Sequence, residues 1–182
     1  GFNFPKLNCI VVVDADFTGR GYDLRSTEKN IQLYHQLSGR AGRFSPESLI
    51  IYQTPSPSDI ILNEVIKNRS EELLINELSL RKKNKLPPFI RLISLIISSK
   101  DHKLSLQGAK EIKLKLCNIE NLEVLGPVDS PLFKIKRNFR SRLLLRFNSQ
   151  SMMQKKIANV INALKISSKI KLTVDVDPIN FA

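Results

Sequence analysis

The stretch Arg140-Ser141-Arg142-Leu143-Leu144-Leu145-Arg146-Phe147 reads as a β-strand, because a two-residue period puts Leu143, Leu145 and Phe147 on one face. From position 89 onward its surroundings follow one pattern. A β-branched run over 92–98 is a second strand. Residues 104–117 place Leu104, Gly108, Ile112 and Leu116 on one helical stripe. A broken strand lies at 124–125 and 132–135. Met153, Ile157, Val160, Ile161 and Leu164 form another helical stripe, with Ser149 or Ser151 as its N-cap. The segment 169–176 closes the pattern with Ile170, Leu172, Val174 and Val176 in strict alternation. The order strand, helix, strand, strand, helix, strand is the ferredoxin-like α+β arrangement.

The preceding region is of a different kind. Residues 7–13 form an unbroken β-branched run, expected to be a strand buried on both faces of a parallel sheet. Residues 27–37 carry Ile31, Tyr34 and Leu37 at helical spacing, with Ser26 or Thr27 as N-cap, and 48–53 read as a further strand. Strand, helix, strand of this type belongs to an α/β lobe, and a complete lobe needs more strands than these. Thr54-Pro55-Ser56-Pro57-Ser58 marks a boundary. Beyond it one helix, capped by Ser58 or Asp59, carries Ile61 and Val65. Another over 70–83 is expected to turn Leu73, Leu74 and Leu78 inward before Pro87-Pro88 ends helical structure. The expected division is therefore 1–55, a helical connector 56–88, and a C-terminal α+β domain 89–182. The last should fold alone and the first should not.

Lys and Arg number 29 against 17 Asp and Glu in 182 residues, a formal net charge of +12 that favours polyanionic partners. No apolar run is long enough to span a membrane. The two cysteines, Cys9 and Cys117, sit among apolar neighbours, are expected to be buried thiols in a reducing compartment, and form no metal-binding cluster.

Gln36-Leu37-Ser38-Gly39-Arg40-Ala41-Gly42-Arg43 is the stretch that carries chemistry. Two arginines three residues apart, each after a glycine, suit planar multidentate binding of phosphate oxygens. A solvated turn holding two arginines is the alternative. A second candidate surface is Lys134, Lys136, Arg137, Arg140, Arg142 and Arg146, interleaved with Phe133 and Phe139 and with no acid between. Such a hairpin can track a phosphate backbone and stack unpaired bases. Alternatively its cations keep an edge strand soluble. Asp14 and Asp16 follow the first strand and are expected to cap the next turn, Thr18-Gly19-Arg20-Gly21.

These motifs, in this order, resemble the second motor lobe of superfamily 2 helicases and, more narrowly, the primosomal protein N′ (PriA-type) family of replication-restart DNA helicases. Gly1-Phe2-Asn3-Phe4-Pro5 resembles the end of helicase motif V, and the span from Gln36 to Arg43 resembles motif VI. Pro87-Pro88-Phe89, Leu125-Gly126-Pro127 and Val174-Asp175-Val176-Asp177-Pro178 fit the same family. Phe2-Asn3 departs from the His-Asp or His-His of many relatives, and Ser38 stands where alanine is commoner. The resemblance implies an ATP-dependent 3′-5′ DNA helicase with Arg43 as arginine finger, Arg40 also near the γ-phosphate, and Gln36 and Gly39 supporting the nucleotide.

It further implies ATP and Mg²⁺ in the full-length protein, and zinc whose cysteine ligands are not in this stretch. Implied partners are forked and single-stranded DNA, other primosome proteins and single-strand-binding proteins, in the cytoplasm. The chain carries no Gly-x-x-x-x-Gly-Lys-[Ser/Thr] phosphate loop. By itself it is therefore expected to lack ATPase activity. The alternative is a stand-alone, non-enzymatic nucleic-acid-binding module.

Overall fold

The computed structural model describes residues 7–15, 23–41, 48–58, 60–67, 70–148 and 152–181. The chain forms two compact units, Gly1–Ser79 and Leu80–Ala182.

In the first unit, β1 (Cys9–Val12) and β2 (Leu49–Tyr52) pair in parallel, Cys9 opposite Leu49 through Val12 opposite Tyr52. Between them in sequence runs α1 (Ser26–Ala41), followed by α2 (Ile60–Ile66) and α3 (Ser70–Lys83). Ala15, Ile31, Tyr34, Leu62 and Leu73 form the core, with Val12, Leu37 and Tyr52 packed against it. β1 is not buried on both faces as its composition suggested: Val12 faces the helices, whereas Val11 is 57% exposed. Among the described residues only one face of the two-stranded sheet is covered. Cys9 lies on the other face and is exposed, and so is Cys117, which stands just past the last buried turn of its helix. The expectation of buried thiols is thus overturned for both.

α1 begins at Ser26, so Ser26 and Thr27 lie inside it. Its start is held instead by Asp23, whose carboxylate accepts the Arg25 N–H at 2.8 Å and pairs with Lys29. The Lys29 ammonium, then the Arg25 N–H, hold the Asp23 carboxyl below its ordinary range. The helix continues through Gly39, around which a Cβ would meet nothing within 4 Å. Among the described side chains of α3 only Leu73 is buried, while Leu74 and Leu78 are exposed. Leu73, Leu74, Ile75, Leu78 and Leu80 surround this helix instead of forming one stripe, so a single residue can face the core.

The second unit follows the expected alternation: β3 (Ile90–Ser99), α4 (His102–Leu116), β4 (Glu123–Ile135), β5 (Asn138–Asn148), α5 (Met153–Asn162) and β6 (Ile170–Val176). The four strands form one antiparallel sheet in the order β4-β5-β3-β6. Ile93, Leu95 and Ile97 of β3 and Leu143, Leu145 and Phe147 of β5 meet Ala109, Ile112 and Leu116 of α4 and Met153 and Ile157 of α5. Asp101 caps α4 by accepting the Lys103 N–H at 2.8 Å. At the start of α5 the expected caps, Ser149 and Ser151, lie outside the described residues. Met152 occupies the cap position without a side-chain bond. The broken strand proves to be one long strand, β4, interrupted by register shifts between Leu125 and Val128 and between Asp129 and Lys134. No helix among the described residues is long and apolar enough to cross a membrane.

Gly126 and Gly108 respond oppositely to a methyl group. Gly126 has φ +95°, and a Cβ there would lie 2.7 Å from the Arg142 carbonyl oxygen. At Gly108 the nearest atom, also 2.7 Å away, is the flexible end of the Ile170 side chain. Gly126→Ala should cost about 2–4 kcal/mol in urea unfolding. Gly108→Ala should stay within about 1 kcal/mol, because the helix-propensity gain offsets overpacking. A loss at Gly108 as large as that at Gly126 would contradict this distinction between the two glycines.

Candidate functional site

Each unit presents one candidate surface. In the first, α1 is fixed by its inner side. The Tyr34 hydroxyl donates to the Ala15 carbonyl just beyond the carboxyl end of β1, and its ring meets Tyr52 edge-on at 5.1 Å. The Ser38 hydroxyl donates to the Tyr34 carbonyl at 3.1 Å. Burial pushes the Tyr52 phenol up, with a bond from Ser38 acting the other way. With Tyr34 turned inward, Gln36, Gly39 and Arg40 are exposed on the last turns of α1. Gln36 and Arg40 are four residues apart, hence neighbours on the helix surface.

An open helix side of this kind can touch an anionic group from one direction but does not enclose it. It fits a nucleotide phosphate as one wall only. Bound Mg-ATP would bring a transferable phosphoryl group whose developing charge the Arg40 guanidinium is chemically suited to offset. Arg43 lies outside the described residues. Asp16 and the Thr18–Gly21 turn lie outside them too, while Asp14 adopts a left-handed φ of 55°. Among the described residues no group of three or more His, Cys, Asp or Glu could hold a metal ion.

In the second unit the surface is the β4–β5 hairpin. Lys134 pairs with Phe139 and Ile135 with Asn138, leaving Lys136 and Arg137 as a two-residue loop with φ of 47° and 69°. Both values are left-handed, the signature of a type I′ turn, whose twist matches paired strands. Both side chains are exposed. The Lys134 ammonium stands 4.6 Å from the Phe139 ring centre. Arg140 is half-buried and donates to the Leu132 carbonyl at 3.4 Å.

The remaining two cations are otherwise engaged. Arg142 is 7% exposed, and its guanidinium donates to the Phe181 carbonyl at 2.6 Å. Burial, then the nearby Arg140 charge, lower its pKa. Arg146 donates through two nitrogens to Glu123, at 2.9 and 2.8 Å. No acid interrupts the basic run in sequence, but the neighbouring strand supplies one.

The hairpin also gathers residues that spacing did not connect. His102 meets Phe133 edge-on at 5.0 Å and Phe139 at 5.6 Å, and the two phenylalanine rings are 5.3 Å apart. His102 Nε2 is 2.9 Å from Asp129 Oδ1. The second shift in β4 releases Phe133 from the ladder so that it can close this group. Only the predicted proximity of the helix start to the hairpin could have signalled it.

A four-stranded antiparallel sheet with two helices, carrying a cationic hairpin, defines an α+β domain with a basic edge. The family model for the primosomal protein N C-terminal domain matches residues 82–179. The chain is 32% identical over 181 residues to the replication restart protein PriA of Rickettsia conorii, covering 100% of this chain and 28% of that protein. It is 32% identical over 183 residues to that of Borreliella burgdorferi, covering 99% and 28%. To that of Bacillus subtilis it is 27% identical over 183 residues, covering 98% and 23%. The chain belongs to the PriA family. It spans about a quarter of the length of these relatives, 28% for the first two and 23% for the third.

Replacing Arg142 by Met removes the bond to Phe181 and keeps most of the side-chain volume. Arg142→Met should destabilise the chain by about 1–3 kcal/mol and speed carboxypeptidase removal of residues 178–182. Unchanged trimming would show that the guanidinium does not hold this segment.

Proposed function

We propose that this chain is the part of an ATP-dependent DNA helicase that comprises the end of the second motor lobe and the C-terminal domain and acts in the restart of DNA replication. In this reading 1–55 belong to a RecA-like lobe carrying motifs V and VI, 56–88 connect, and 89–182 are a ferredoxin-like DNA-binding domain. The observation that carries it is the family relationship along the whole chain together with the Gln36–Arg43 motif. Further support comes from the parallel β1–β2 pair with α1 between its strands in sequence, and from exposed Gln36, Gly39 and Arg40.

The nucleotide, with its Mg²⁺, is held mainly by residues outside these 182, since no phosphate loop is among them. Arg43 acts as the finger and Arg40 beside it. Cations placed on charge that develops only in the transition state raise turnover by about 10³–10⁵. Lys134, Lys136, Arg137 and Arg140 contact the phosphate backbone of forked or single-stranded DNA, while Arg142 holds residue 181. Zinc, if the whole protein carries it, is bound by cysteines elsewhere, because Cys9 and Cys117 are the only two here. Other primosome and single-strand-binding proteins are the expected partners of the whole protein, in the cytoplasm.

Arg43→Ala in the full-length enzyme should lower DNA-stimulated ATPase by about 10³-fold or more. Retention within about threefold would remove the finger role. Arg137→Glu with Arg140→Glu should weaken fork-DNA binding and flatten its dependence on salt, by about 0.9 in log–log slope per lost phosphate contact. Unchanged affinity and slope would eliminate the hairpin as the contact surface.

A further inference from the structure

Beside the hairpin, the end of the sheet opens into a cleft of about 890 Å³. Its floor is the end of β3 with Ser98 and Lys100. Asn138, where β5 begins, forms one wall, and Ser167, Lys169 and Lys171 at the entrance to β6 form the other. We propose that this cleft grips the phosphates of a single-stranded nucleic acid that continues from the hairpin.

Four observations carry the proposal. Lys100, Lys169 and Lys171 are exposed, and none of them makes an ion pair among the described residues. The one acid of the cleft, Asp101, has its carboxylate committed to the Lys103 N–H as the cap of α4. Three lysines against one carboxylate leave the cleft net positive beside serine hydroxyls, a donor set that suits phosphate oxygens, while Leu104 and Ile170 add an apolar part to its lining. Strand register supplies the continuity with the hairpin. Ser98 pairs with Arg140 on one side and with Lys171 on the other, so these three side chains share one face as a row across β5, β3 and β6. A backbone leaving Arg140 thus meets Lys171 two strands away and then Lys169 and Lys100.

A nucleobase-specific pocket would need rigidly convergent donors and acceptors beside its apolar walls. Serines and flexible lysines instead suit a repeating phosphate whatever its sequence, so binding here is independent of base identity and strongly dependent on salt. The cleft has the size of small-molecule sites, and a free phosphate or nucleotide offers the same chemistry. Only a strand occupies the cleft and the hairpin together.

The inference rests on the nucleic-acid reading of the hairpin, and one experiment separates the two. Binding of the 182-residue chain to a labelled oligothymidylate is measured across a salt series. The wild type is compared with the triple variant K100A/K169A/K171A, the triple arginine variant at the same positions, and the R137E/R140E hairpin pair. The alanine variant should bind at least tenfold more weakly at low salt, with a log–log slope smaller by about 2 for three lost contacts. The arginine variant should restore both. Inorganic phosphate at equal ionic strength should compete no better than chloride.

If the alanine variant binds like wild type while the hairpin pair is weakened, the cleft proposal is wrong and the hairpin reading stands. Absence of binding by the wild type would remove both. Failure of the arginine variant to rescue would assign the lysines a role other than charge, against the proposal. Selective competition by phosphate would identify a free anion as the occupant, also against it.

Discussion

The antiparallel ladder between β3 and β5, Ile90 opposite Asn148 through Ser99 opposite Phe139, is the constraint on which the second unit depends. Side chains alternate along a strand, so a slip of one residue would exchange its faces. Leu143, Leu145 and Phe147, at most 3% exposed, would leave the core. Each contributes about 1.5–3 kcal/mol by its burial. Arg142 and Arg146 would enter it without Phe181 or Glu123 to meet them, and an uncompensated buried charge costs several kcal/mol more. The register that stabilises the core therefore also distributes the cations. Lys134 and Phe139 fall on the helix side of the sheet, whereas Arg140, Ser98 and Lys171 line the other.

The first unit achieves a similar result through one helix. Tyr34 binds the carbonyl beyond β1 and packs on Tyr52, so it sets the rotation of α1 about its own axis. Once that rotation is set, helical geometry alone turns Gln36 and Arg40 outward. Asp23 sets where the helix begins, and Gly39 within it leaves the backbone beside Arg40 open to a close approach. A structural tyrosine and an open arginine six residues apart in sequence thus serve one arrangement.

Alternation and helical stripes were legible from sequence because each depends on a short local period. Ile170 to Val176, Leu143 to Phe147, and Ile112 with Leu116 all fall on the elements that their spacing implied. What was not legible depended on residues far along the chain. The β-branched composition of β1 says nothing of whether a layer covers its second face, and Val11 is exposed. Leu74 and Leu78 lie one turn apart on a side of α3 that the core, which reaches only Leu73, does not cover. In β4, Gly126 and the shifts beside it interrupt the period without ending the strand, so the spacing alone shows two pieces. At the candidate surface, the basic run did not distinguish Arg140 from Arg142. That difference is made by Phe181, 39 residues away. His102 could not be joined to Phe133 and Phe139 before strand pairing was known.

The hairpin tip departs from local preference in a way that bears on its use. Type I′ loops favour Asn-Gly, because left-handed torsions cost most other residues about 1–2 kcal/mol each. Lys136 and Arg137 adopt these torsions without being glycine or asparagine. The strands on either side, 13 and 11 residues long, sustain the strain through their ladder, and His102, Phe133 and Phe139 brace one face of its base. Backbone strain of this sort persists only where surrounding structure over-determines it. The result is a pair of long cations whose backbone anchors are held by a rigid turn instead of a mobile loop. A polyanion binding there orders less of the protein than it would on a flexible basic tail, so more of the electrostatic gain survives as affinity. In the proposed role the hairpin charges would act from bases that strand pairing has already fixed.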